Sequence, residues 1–513
     1  MNHDRAPRSS HRISRRSPGF LASIVIALCI ALLTAACAGS ARGGGSTQAT
    51  KDSLTIAFGQ EPSDWNYLRN PETAIRSLLM LNVLEPLLDK KKDGTLVPLL
   101  AESYTMSGDG TVYTFKIRKA VFSDGSALTA DDVVYSLEQS RTTKLQDVAA
   151  RLKAVKQVSK VDSRTVKVTL STPSQRFLEA MSTDSGLVIP RGSANSLNKA
   201  PVGSGPFAFR DWKNGVEVDL VRNDRYWGTK PALRTITWRF IKDPSAAVNA
   251  LRAGDVDMIG AFGGNKAQID SITRTPGFTK SVVSGREMVY LSLNATDPAF
   301  ADPRVRQAVA YSLDRQAFIN GTTGSGEPAC TFVNPPNEPW RSDKCPYPHD
   351  PAKAKQLLTE AGKQGLTLHY TYLAGTEAGV AIISQGLQRA GFKVQAQALE
   401  FPAYLDRVLT KAQYQITHIS GPQQIDAWTC PGFFTKDCYP EMDSLLARAD
   451  RALDRTEWAN LRREAVEKDA ERAYLIPAWT TDVTSLYRTG LQGSKPFASN
   501  SEIDLRGLRW GAG

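Results

Sequence analysis

The chain has 513 residues, 41% apolar and 22% charged; one core supports roughly 250 to 300 residues, so at least two lobes are expected, and neither disorder nor a membrane bundle fits this composition. The formal charge of +11 falls to +7 once residues 1–36, with five arginines and Asp4, are set aside. No run of five Lys or Arg occurs, which argues against nucleic acid as a partner.

The first 36 residues read as an export signal. Arg5, Arg8, Arg12, Arg15 and Arg16 form a basic start, and "FLASIVIALCIALLTAA" from Phe20 to Ala36 is uncharged and apolar. Small residues then precede Cys37, and no second stretch of spanning length follows. Residues 37–52, beginning "CAGSARGGGS", are rich in Gly, Ser and Ala and suit a flexible tether. The mature chain is therefore expected outside the cytoplasmic membrane.

Downstream, alternation with a period of two predicts strands: Tyr113, Phe115 and Ile117; Val166, Val168 and Leu170; Val216, Val218 and Leu220. Asp109-Gly110 and Asp124-Gly125 suit tight turns, and Thr129 with Asp131 and Asp132 suits a helix start. "SLNK" at Ser196–Lys199 fits an SxxK pattern, but no KTG partner follows, and "GSGPF" at Gly203–Phe207 could cradle an anion but reads first as a turn. Neither a Walker motif, nor HExxH, nor GxSxG, nor a metal-spaced histidine cluster is present, so no enzyme activity, metal or cofactor is expected.

In the second half, "DPAKAKQLLTEAG" predicts a helix ending at Gly362. "EMDSLLARADRAL" places Met442, Leu445, Leu446, Ala449 and Leu453 on one face, and Asp454 with Glu457 is spaced like a capping box before Trp458 and Leu461. Cys330, Cys345, Cys430 and Cys438 remain after Cys29 and Cys37 are set aside. In an exported chain they read as disulfides, and 330 with 345 and 430 with 438 is the simplest of three connectivities.

Five ordered blocks carry a family resemblance. They are "AESYTMSGDGTVYTFKIRKAVFSDGSALTADDVVYSLEQSR" from Ala101, "PVGSGPFAFRDWKNGVEVDLVRNDRYWGTKPAL" from Pro201, "ALRAGDVDMI" from Ala250, "DPRVRQAVAYSLDRQAFI" from Asp302 and "YPHDPAKAKQLLTEAG" from Tyr347. From about residue 53 onward the chain resembles the family 5 extracytoplasmic solute-binding proteins of ABC importers, which bind oligopeptides, dipeptides and nickel. The stretch "LTAAC" at Leu33–Cys37 likewise resembles a bacterial lipobox, implying a lipidated Cys37.

The resemblance implies an α/β, two-lobed periplasmic-binding-protein type II fold with an extra inserted domain, three domains in all, and a cleft between the lobes. Residues 53–90, 200–290 and 478–513 would form domain I, 91–199 domain II and 291–477 domain III. The implied role is capture of an oligopeptide or similar solute by a monomer held to the membrane through its lipid, and delivery to the permease and ATPase subunits. A transport-inactive envelope lipoprotein and a nickel-chelate or sugar-type binder are the alternatives.

In dipeptide-binding relatives the segment before the last disulfide carries a Trp and then an amine-pairing Asp. Aligned on Cys430 and Asp426, those positions fall on Ser420 and Gln423, and the carboxylate-pairing arginine falls on Glu377. An ammonium without its carboxylate loses a charge-assisted bond of roughly 1.5 to 3 kcal/mol. A longer peptide held by its backbone, or a neutral or cationic solute, is therefore expected instead of a short zwitterion. Ser420, Gly421, Gln423, Gln424, Trp428, Glu377 and Trp479 are the candidate site residues, although a tryptophan in such a chain more often packs a core.

Overall fold

The computed structural model describes residues 51–91, 93–322, 324–332, 339–422, 430, 435–493 and 503–511. Cys37 and residues 423–429, with Gln423, Gln424 and Trp428, lie outside the described residues.

A ten-stranded sheet organises the molecule, in the order Phe207–Lys213, Glu217–Arg222, Thr235–Phe240, Ser53–Phe58, Met258–Gly260, Leu475–Arg488, Phe278–Leu293, Ile416–Pro422, Thr367–Leu373, Lys393–Leu399. Two of these strands are unusually long. Phe278–Leu293 and Leu475–Arg488 pair antiparallel along most of their length, with a one-residue register shift between Val289 and Tyr290 and a larger break where Val283 faces Val483 and Glu287 faces Thr481, so residues 284–286 stand against residue 482. Such a bulge bends and twists a ribbon.

The apolar residues gather on either side of that break. On the N-terminal side Leu54, Ile56, Trp65, Phe207, Leu220, Trp238 and Met258 form one core, which the chain end rejoins through Ile503 and Leu505. Asn82 anchors this return, donating from Nδ2 to Ile503 O at 2.7 Å and accepting at Oδ1 from Leu505 N–H at 3.1 Å. A second core, with Tyr113, Phe115, Val133, Val166, Val168 and Phe177, lies between the helix Ala130–Thr142 and a four-stranded antiparallel sheet.

On the other side, helices Pro303–Tyr311, Arg315–Gly321, Pro351–Glu360 and Glu377–Arg389 pack round Leu291, Val309, Leu368 and Leu387. Helices Pro440–Arg451 and Arg455–Arg472 enclose Met442, Leu446, Trp458 and Val466 with Tyr290 and Trp340. Each fully buried side chain of this size stabilises the fold by about 1.5 to 3 kcal/mol.

Local chemistry places these elements largely as the sequence predicts. Ser107–Gly110 turns between the strands Ala101–Met106 and Val112–Ile117, with Gly110 at φ 68° and its N–H on Ser107 O at 2.9 Å. Thr129 N–H donates to Asp132 at 2.8 Å, Asp454 accepts from Glu457 N–H at 2.8 Å, and Gly362 ends its helix at φ 65°.

Two positions depart from the expectation. Val216 is 51% exposed because it sits in the turn ahead of Glu217–Arg222 instead of in the strand. Leu453 lies beyond the end of Pro440–Arg451 and is 46% exposed. Both disulfides form as the local pairing, Cys330–Cys345 and Cys430–Cys438.

Candidate solute-binding cleft

Strand direction locates the site. Met258 faces Tyr487 and Ile259 faces Leu486, after which Phe262 N–H reaches Thr484 O at 2.7 Å, so this strand advances toward residue 482. Ser53–Phe58 and Thr235–Phe240 run parallel to it. From the far side, Ile416–Pro422 advances from Leu293 to Glu287, again toward the break, and Thr367–Leu373 and Lys393–Leu399 run parallel with it. The carboxyl ends of two parallel sets thus converge on residues 284–286 and 482 from opposite sides. In open α/β sheets, ligands bind beyond such carboxyl ends.

Several expected site residues meet at this edge. Ser420 and Gly421 face Val289 and Met288, and the same two residues face Trp479 and Thr480 on their other side, so Ser420 and Trp479 share one level of the sheet. The Trp479 side chain is only 2% exposed and stacks on Phe318 at 3.3 Å between ring centroids, inside the core. Glu377 opens the helix after Thr367–Leu373. Its Oε1 accepts the Gly375 N–H at 2.9 Å, and that bond and its own backbone N–H hold its carboxyl below the usual range. Glu377 is exposed.

Behind the edge the groups are buried and neutral. His418 Nδ1 lies 2.8 Å from Tyr370 Oη, and burial pushes the imidazole down to about 4. Tyr404 Oη donates to His418 O at 3.1 Å, seating the helix Phe401–Tyr404 against the strand Ile416–Pro422. On the other edge of Leu475–Arg488, Pro328 bridges to Trp479 and Ala329 N–H donates to Ala478 O at 3.0 Å. Gly326 is required there: it sits at φ 111°, and a Cβ would stand 2.0 Å from Thr480 O.

Phe401 and Leu405 were not singled out from the sequence. They follow the carboxyl end of Lys393–Leu399, four residues apart, and are 58% and 37% exposed, whereas Tyr404 and Val408 are buried. Four large apolar residues in "FPAYLDRV", Phe401, Tyr404, Leu405 and Val408, were a readable signal, since one helical face needs only two of them for its core.

The weaker motifs resolve into structure. Ser196 Oγ donates to Ser193 O at 2.9 Å at the end of a short 3-10 turn. Gly203 and Gly205 are pressed on backbone, where a Cβ would lie 1.9 Å from Val83 O and 2.5 Å from Asn82 O respectively. Cys430, Cys438 and Asp443 cluster, but the sulfurs are joined and the Asp443 carboxylate accepts the Cys430 N–H at 3.2 Å.

Comparison with known proteins decides the family. Residues 95–427 match the model described as "Bacterial extracellular solute-binding proteins, family 5 Middle". The chain belongs to family 5 of the extracellular solute-binding proteins. Within this family it is 29% identical to the oligopeptide-binding protein AppA of Bacillus subtilis (strain 168), over 77% of this chain and 79% of that one. It is 25% identical to a probable di/tripeptide-binding protein 5 of Pseudomonas aeruginosa (strain UCBPP-PA14), over 78% and 84%.

Among solved structures, the periplasmic binding protein AgaA from A. tumefacien R10, in complex with agropinic acid, superposes with TM-score 0.76 at 25% identity, covering 90% of this chain and 99% of that one. The ABC transporter substrate-binding protein CtaP of Listeria monocytogenes superposes with TM-score 0.79 at 24% identity, over 90% and 100%. The family 5 chain is therefore an extracytoplasmic solute-binding protein of the ABC-importer type, with the periplasmic-binding-protein fold. No helix among the described residues is long and apolar enough to cross a membrane.

Proposed function

We propose that this chain is held to the outer face of the cell membrane by a lipid on Cys37 and captures an oligopeptide by closure of two lobes, for delivery to a permease and its ATPase. The observation that carries this reading is the convergence of both sets of carboxyl ends on the irregular point of the long ribbon. Two continuous strands joining two cores through a three-against-one break in register suit a hinge, because a few residues can absorb the change in φ and ψ while both cores stay packed.

Residues 53–90, 200–283 and 483–513 are assigned to one lobe with 91–199, and residues 287–481 to the other, with the pivot at 284–286 and 482 in place of 290 and 478. Ser420, Gly421, Gln423, Gln424, Trp428 and Glu377 belong to the second lobe's wall of the cleft, and Trp479 supports that wall from the core. With Gln423 and Glu377 at the positions where dipeptide binders pair charges, backbone hydrogen bonding of a longer peptide suits the site better than clamping a zwitterion. The oligopeptide relative at 29% identity supports the same class, and exposed Phe401 and Leu405 offer apolar contact for its side chains.

Native mass spectrometry of the mature chain, followed by thermal-shift titration with dipeptides and with a nonapeptide pool, tests the reading. Stabilisation by the longer peptides supports it. Stabilisation by free dipeptides at micromolar concentration overturns the assignment of Gln423 and Glu377. Metabolic labelling with a fatty acid, lost in Cys37→Ala, tests the anchor.

A further inference from the structure

Away from the hinge, the two sides of the molecule touch at a second place. The helix Gln175–Ala180 belongs to the core of Tyr113 and Phe177, and the helix Pro440–Arg451 to that of Met442 and Trp458. Between them the Asp450 carboxylate accepts Ser174 Oγ–H at 3.0 Å and Arg176 N–H at 2.7 Å, and Gln175 Nε2 donates to Ala452 O at 2.7 Å. Arg455 lies 2.8 Å from Glu179, whose other oxygen is 3.1 Å from Lys90. Burial pushes the Glu179 carboxyl up, but Lys90 and Arg455 outweigh it and hold it below its ordinary value.

We propose that Asp450, with Gln175, Leu453 and Arg455 around it, is a latch that holds the two lobes closed and sets the solute affinity through the fraction of closed molecules. The inference rests on the hinged reading above.

Three features favour a separable contact over permanent packing. The first is Asp450 itself, which occupies the last turn of Pro440–Arg451, where the helix dipole disfavours an acid. Its benefit comes from across the contact, where it accepts the Arg176 N–H and the Ser174 hydroxyl at the start of another helix. Secondly, the bonds on both faces are polar, so water replaces them on opening at small net cost. Lastly, Leu453 reaches the Gly110 turn, yet stays 46% exposed, unlike any core residue. Rotation about residues 284–286 and 482 must break or shift every one of these contacts, because they join elements fixed to opposite cores.

The test uses the mature chain with one spin label in each lobe, first without any solute. Asp450→Ala should raise the open-to-closed ratio about tenfold, the loss expected for one charge-assisted cluster. A cross-link between Ser174→Cys and Asp450→Cys should abolish the long-distance population and slow release of a loaded nonapeptide pool at least tenfold. Unchanged distance distributions in both variants would overturn the latch. If no peptide binds but the distances still shift, the latch stands and the solute class alone fails.

Discussion

The two sides of the ribbon break are held together by different means. On the N-terminal side the chain relies on a buried acid. Glu85 is fully buried and accepts from Ser204 Oγ, Tyr226 Oη and Trp227 Nε1, each at 2.9 Å. That hub joins the loop at Gly203–Gly205 to the start of the inserted segment, and no described cysteine lies on this side.

On the C-terminal side the long segment from Ala329 to Tyr347 is closed by Cys330–Cys345 and centred on Arg315, which donates to Ala329 O, Tyr347 O and Pro477 O at 2.9, 3.0 and 3.2 Å. Burial brings that guanidinium down to about 10. Around Glu85 the segments are joined by hydrogen bonds, whereas the Cys330–Cys345 bond acts by reducing the loop entropy of the unfolded chain.

The largest effect should come from Glu85→Ala. Three donors would be left without an acceptor at about 1 to 3 kcal/mol each, so a total loss of at least about 3 kcal/mol is expected, seen as a melting transition many degrees lower. Wild-type stability in that variant would show that the hub is not what holds the N-terminal side.

Next is removal of one disulfide. Cys330→Ala with Cys345→Ala opens a loop of 15 residues and should cost about 3 kcal/mol. Hydrogen exchange should report the loss in the helices Arg315–Gly321 and Arg455–Arg472 and leave the four-stranded sheet protected. Equal loss on both sides would break the contrast drawn above.

Smaller still is Trp479→Phe, which keeps an aromatic ring on Phe318 but leaves a void. About 1 to 2 kcal/mol is expected, again confined by exchange to the C-terminal side.

The smallest effect distinguishes two buried acids, one on each side. Burial pushes Glu85 up to about 7 against its hydrogen-bond donors, and pushes Asp469 up to about 7 with help from the Asp437 charge, opposed by Arg472. Unfolded carboxyls release their protons near 4, while these two keep theirs to about 7. The stability they contribute is full at low pH, is lost between about pH 4 and 7, and is level above that. Among the described residues Asp469 Oδ2 has no hydrogen-bond partner, whereas both Glu85 oxygens do. Asp469→Asn should therefore be neutral or stabilising at pH 8 and flatten the melting-temperature profile between pH 4 and 7, and Glu85→Gln should flatten it at a cost in stability. A profile unchanged by Asp469→Asn would show that this acid is ionised throughout.

Much of the architecture was legible because it is local. Asp109-Gly110, Thr129 with Asp132, and Asp454 before Glu457 each place a turn or cap within four residues, and their hydrogen bonds close over that distance. Period-two alternation found Val112–Ile117 and Thr165–Leu170 for the same reason. Val216 and Leu453 failed because an apolar residue at the end of an element keeps its periodicity while losing the neighbour that would bury it.

The site was less legible. Trp479 and Ser420 are 59 positions apart in the chain and share a level of the sheet only through Val289 between them. No spacing rule joins them.

By itself, then, the sequence determined the ordered blocks of family 5, the turns and helix caps, and the local cysteine pairing as the simplest of three, all of which depend on residues close together in the chain. Only the tertiary structure decided where both sets of carboxyl ends converge, that the Trp479 indole packs inward, and that Asp450 reaches Ser174 across 276 positions. Those depend on strand register and on how two cores are joined, and such long-range pairing leaves no local pattern for a single sequence to show.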